Sequence, residues 1–163
     1  MTNLLSEEDM KILGKVTAVP ELYNYILNMQ TLEEKFIRPG NFPKVVFIPG
    51  RLPGANEYIN ACRADSRKGN EMKRDAQMLC LCGLHKLPRH NAGRVGIKFI
   101  WVEPNKNRDP DNIAFAKKFI LDQMQTMQII SGDGWRQIAF LQDEFRVDRQ
   151  NPGVEIHLYI IEE

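Results

Sequence analysis

The sequence lacks the cysteine pairs of an oxidised scaffold: three cysteines in 163 residues, an odd number, set up no disulfide framework. It also lacks any long apolar run. The longest largely apolar stretch, Met78 to Leu84, falls far short of the roughly 20 residues a membrane-spanning helix needs. No membrane association is therefore expected. The opening residues carry Glu7, Glu8, Asp9, Lys11 and Lys15, with no apolar segment of the secretory kind, so the expected compartment is the cytoplasm. Internal repeats and low-complexity tracts are missing too, which excludes solenoid and linker-array architectures. What is there is a 43% apolar fraction, enough for a packed core, in a length that suits one compact domain with a small appendage.

The formal net charge of +1 hides a segregation of sign. Between residues 63 and 98 nine basic side chains, among them Arg63, Arg67, Lys68, Lys73 and Arg74, stand against three acidic ones, which leaves the rest of the chain net acidic. Such a division suits work on a phosphodiester, where cations hold phosphates and carboxylates hold a metal. A charge run also arises on any solvated helix face, and both readings stand at this point.

Residues 4–37 read as a helical arm, broken by Pro20 and opened by Ser6-Glu7-Glu8-Asp9. The punctuation Arg38-Pro39-Gly40-Asn41-Phe42-Pro43 predicts a boundary, with an N-terminal extension over 1–41 and the main domain over 42–163. Within that domain, 44–49 (KVVFIP) reads as a strand and 51–60 as a Pro/Gly loop carrying Asn56 and Tyr58. A helix is expected over 70–87, a strand over 95–103 and a second helix over 113–127, where the apolar positions recur at helical spacing. Ser131-Gly132-Asp133-Gly134 is a turn. Strands over 138–147 and 154–161 follow, joined by a hairpin-like loop. The order β-α-β-α-β-β predicts an α+β domain on a single mixed sheet.

Arg108-Asp109-Pro110-Asp111-Asn112 lies at the junction between the second strand and the second helix. Two carboxylates one residue apart at such a junction can converge on a divalent cation, since magnesium accepts hard oxygen ligands together with water and substrate phosphate. Asp133, in its glycine-flanked turn, offers a third oxygen. The same residues also make a good helix start, with Asp at the N-cap, Pro at the first helical position and an acid in the first turn.

From about Val45 to Ile161 the chain resembles the RusA-type Holliday junction resolvases. The likeness rests on Arg108-Asp109-Pro110-Asp111-Asn112, the helix after it, Asp133 before the last two strands, and an upstream strand followed by a Pro-rich loop with Asn56 and Tyr58. It implies a homodimeric, magnesium-dependent endonuclease that nicks four-way DNA junctions symmetrically, with Asp109, Asp111 and Asp133 as metal ligands. Under it, Arg63, Arg67, Lys68, Lys73 and Arg74 would grip phosphates, and Asn56 and Tyr58 would touch the junction. The family pattern places a lysine about one turn into the helix. Phe115 stands there, and counting back from Asp133 brings Lys118 to that role, with Lys117 beside it. A non-cleaving DNA-binding protein of the same fold is the alternative.

Two further expectations follow from geometry. An unbroken helix from Asp111 to Met127 would end roughly 24 Å away at ~1.5 Å per residue, too far for Asp133 to fold back easily. Asp133 is therefore expected to complete the active site of a partner protomer. Cys80 and Cys82, with His85 and His90, suggest zinc, but positions two apart on a helix do not share a face.

Overall fold

The computed structural model describes residues 43–89 and 93–161. The expected helical arm over 4–37 and the boundary at 41/42 lie outside the described residues.

Four strands form one mixed sheet: β1 (Lys44–Pro49), β2 (Arg94–Glu103), β3 (Ile138–Val147) and β4 (Gly153–Ile161). Their order is β1-β4-β2-β3, with β4 antiparallel to both neighbours and β2 parallel to β3. The four helices among the described residues are α1 (Ala55–Ala64), α2 (Ser66–Leu84), α3 (Pro110–Ala114) and α4 (Lys117–Thr126). This is the α+β class with a single mixed sheet that the sequence predicts.

The core follows from strand alternation. Val46 and Ile48 of β1, Ile97, Phe99 and Trp101 of β2, and Val154, Ile156 and Leu158 of β4 are all buried, and register places them on one sheet face. They join one apolar cluster with Ile113 of α3, Phe119, Ile120 and Met124 of α4, and Ala76, Cys80 and Leu84 of α2. Each large side chain buried this way contributes about 1.5–3 kcal/mol. The other face is mixed: Ile100 and Tyr159 are buried on it, while Lys98 pairs with Glu144 at 2.5 Å, and His157 Nε2 lies 2.5 Å from Glu155.

Helix α2 presents Ala76, Cys80, Gly83 and Leu84 to the core, a helical stripe. Gly83 permits the approach to β1, since a Cβ there would come within 2.6 Å of the Phe47 carbonyl oxygen. The helix begins at Ser66, capped by Asp65, whose carboxylate accepts the Arg67 N–H at 2.9 Å.

Three expectations need correction. The 51–60 segment is a loop only to Gly54. From Ala55 it is helix α1, and Asn56 and Tyr58 are helical residues. The 113–127 helix is two helices, α3 and α4, broken at Phe115 and Ala116. The link from Asp148 does not close a hairpin: β3 lies on the far side of β2, so the chain crosses the end of β2 to insert β4 between β1 and β2. No helix among the described residues is long and apolar enough to cross a membrane.

Candidate active site

Strand β2 ends at Glu103, and its last side chain is buried although charged. A buried carboxylate needs a partner, and Arg108 provides one with the Nε–Nη2 edge of its guanidinium. Arg108 Nε donates to Glu103 Oε2 at 3.0 Å, and Nη2 donates to Oε1 at 2.5 Å. The remaining Nη1 donates to the Leu52 carbonyl at 3.1 Å, which ties the loop before α1 to the end of β2. The side chains of this pair are only 11% and 12% exposed.

Asp109 and Asp111 follow at the start of α3 and are exposed. Asp109 occupies the N-cap position with extended backbone and Pro110 begins the helix, as the capping interpretation requires, but the Asp109 side chain makes no capping hydrogen bond. The capping work is done elsewhere. Asn112 Oδ1 accepts the backbone N–H of Asn56 at 2.9 Å, so the residue after Asp111 caps α1 across the fold. Gly54 makes room for it, since a Cβ there would meet Asn112 Oδ1 at 2.6 Å. The two carboxylates thus stand between two anchored residues, Arg108 and Asn112.

Asp133 is exposed in the turn before β3. The Gly134 carbonyl there accepts the Gln137 and Ile138 N–H groups at 3.0 and 2.9 Å, and Val95 N–H donates to the Gln137 carbonyl at 2.8 Å. These contacts place Asp133 near the first residues of β2, whereas Asp109 follows the last. Val95 to Glu103 alone spans roughly 26 Å at ~3.3 Å per residue. The break between α3 and α4 does not change this, because the parallel pairing of β2 with β3 requires the chain to return to the start of β2. Within one protomer, Asp109 and Asp111 are neighbours and Asp133 is at the opposite end of the sheet. Among the described residues no three His, Cys, Asp or Glu side chains are grouped as a metal site would need.

The other predicted residues divide similarly. Lys118 is exposed and lies 3.7 Å from Asp122, one turn further along α4. Lys117 pairs instead with Asp143 of β3 and sits 5.9 Å from the centre of the Phe99 ring. Trp101 Nε1 donates to the other oxygen of Asp143 at 2.8 Å, so Asp143 ties α4 to the sheet. Lys73 is engaged by Asp122 at 2.8 Å, a hydrogen bond that raises its pKa despite partial burial. Arg63, Arg67, Lys68 and Arg74 are exposed along α1 and α2, with Arg74 lying 3.5 Å from Asp75. Tyr58 packs its ring against Phe115 and Phe119 at 5.7 and 5.4 Å, and Asn56 is exposed near the start of α1. Burial first, then a hydrogen bond to Cys62, raises the Tyr58 pKa. Cys80 is buried, which pushes its thiol up to about 12, while Cys82 is exposed.

Sequence reasoning missed Glu103, Asp143 and the capping role of Asn112. A signal for Glu103 existed: it follows the apolar run Phe99-Ile100-Trp101-Val102, with an arginine five positions on. Compared with known proteins, the chain matches no family model and no curated sequence.

Proposed function

We propose that the chain is a magnesium-dependent endodeoxyribonuclease that resolves four-way DNA junctions by paired nicking as a homodimer. One observation carries this reading: Asp109 and Asp111 project as exposed carboxylates beside a buried, fixed Arg108–Glu103 pair, and Asp109 is not used to cap its own helix. Two carboxylates match what magnesium takes from a protein when water and substrate phosphate supply the other ligands. Bound there, the ion supplies Lewis acidity at the scissile phosphate.

The remaining work belongs to the chain. Asp109 and Asp111 hold the ion at the C-terminal end of β2, and the exposed arginines and lysine of α1 and α2 attract the DNA backbone. Asp133 is the third carboxylate, given to the neighbouring active site by the partner protomer, a reading supported by its place at the other end of β2. A two-fold substrate suits a two-fold dimer. The alternative, a DNA-binding protein that does not cut, gains nothing from exposed acids where phosphate must approach.

The test incubates purified protein with a synthetic four-way junction, with and without magnesium. Paired nicks in magnesium alone are expected. Asp109→Asn and Asp111→Asn should melt as wild type does, bind the junction and cut at least about 100-fold more slowly, since Asp109 has no capping hydrogen bond to lose and asparagine lacks the charge the metal needs. Normal cutting by both variants refutes the assignment.

A further inference from the structure

We propose that Arg108, clamped by Glu103, is a positioning residue that sets the Asp109 and Asp111 carboxylates for magnesium. The inference rests on the nuclease reading and adds to it the largely buried residue pair next to the two carboxylates.

Glu103 is a buried carboxylate with both oxygens occupied by one guanidinium, so it is not itself free to ligate. Arg108 is the residue immediately before Asp109. Its three contacts, two to Glu103 and one to the Leu52 carbonyl, fix that side chain to β2 and to the loop before α1. A planar fork held at both edges defines position and orientation together, which a lysine ammonium at the same place cannot do. On the other side, Asn112 is held by the Asn56 N–H, so the short run bearing the carboxylates is pinned at both ends. The Arg108–Glu103 anchor is largely buried while the carboxylates face solvent. Partners behind a metal site typically change metal affinity or activity by about 10–100-fold when removed.

A buried ion pair also has a purely structural role open to it, and the two roles separate experimentally. Replacing both members of such a pair by apolar residues of similar volume is often neutral or stabilising, whereas removing one strands a charge. The decisive comparison is therefore wild type, Arg108→Lys, and the double variant Glu103→Met with Arg108→Met. Magnesium affinity is measured by calorimetry on the protein alone, melting temperature by calorimetric scan, and junction nicking as a function of magnesium concentration.

The double variant is expected to melt at or above the wild-type temperature yet bind magnesium about tenfold more weakly. Arg108→Lys should show the same weakening, and both should bind the junction normally without magnesium. Wild-type magnesium affinity in a folded double variant would make the pair structural only and overturn the proposal. Should the double variant not fold, wild-type affinity in Arg108→Lys overturns it equally. A wild-type protein that neither binds magnesium nor cuts removes the nuclease reading itself, a result distinct from failure in the variants alone.

Discussion

Glu57 illustrates how much one side chain can hold in place. It accepts the Gly54 N–H at 3.0 Å, pairs with Arg51 at 2.6 Å, and puts a negative charge in the first turn of α1. Partial burial opposes ionisation, but the Gly54 N–H and the Arg51 guanidinium outweigh it and hold the carboxyl below its ordinary value. A group depressed in this way stabilises the fold above its unfolded pKa and loses that contribution as pH falls through the folded value. Glu57→Gln should therefore destabilise at pH 7 by no more than ~0.5 kcal/mol, because water screens so exposed a side chain. By about pH 3, below the usual glutamate range, the difference should vanish. Urea unfolding at the two pH values checks this, and a gap that persists in acid would assign the effect to packing.

Among the elements, the strands and the long helix α2, expected over 70–87 and found over Ser66–Leu84, were legible, and the shorter helices were not. Each strand is an apolar run flanked by turn residues, and each was placed to within a residue or so of its observed bounds. Helix α1 escaped because Leu52-Pro53-Gly54 signals a loop while Gly54 is the N-cap of the helix, and because its helically spaced Ala55, Tyr58, Ile59 and Cys62 form a short stripe that leaves no residue of α1 fully buried. The break in the 113–127 segment escaped because Phe115 and Ala116 keep the apolar spacing going across it. At the candidate site the carboxylates could be read directly, but the Asn112 cap joins residues 56 positions apart, which no local pattern reveals. The basic elements yield a prediction of their own. Replacing Arg63, Arg67, Lys68 and Arg74 by Gln should lower the slope of log affinity against log salt by about 3, since up to four counterions are no longer released. Lys73 is left intact because it is already engaged by Asp122 at 2.8 Å. A slope unchanged in junction-binding titrations would take these helices off the DNA.

For the whole molecule, the parallel pairing of β2 with β3 is decisive, because it separates Asp133 from Asp109 by the length of the sheet. If the proposed dimer shares its active sites, Asp109→Asn and Asp133→Asn proteins, each inactive alone, should recover single nicks when mixed. A mixed dimer then has one site bearing both lesions and one intact. Mixtures shown to have exchanged subunits that still fail to nick would place the whole site within one protomer and leave Asp133 without a catalytic part. The strand order also bears on how the chain is made. The last described strand, β4, is the partner of β1 and lies between it and β2, so the centre of the sheet is filled by the strand synthesised after the other three. Until Gly153–Ile161 has emerged, β1 has no strand partner among the described residues, and helix α2 alone packs against it. This sheet cannot mature as it is translated; it closes in one late step, and a nascent chain arrested before residue 153 should be open to protease along β1.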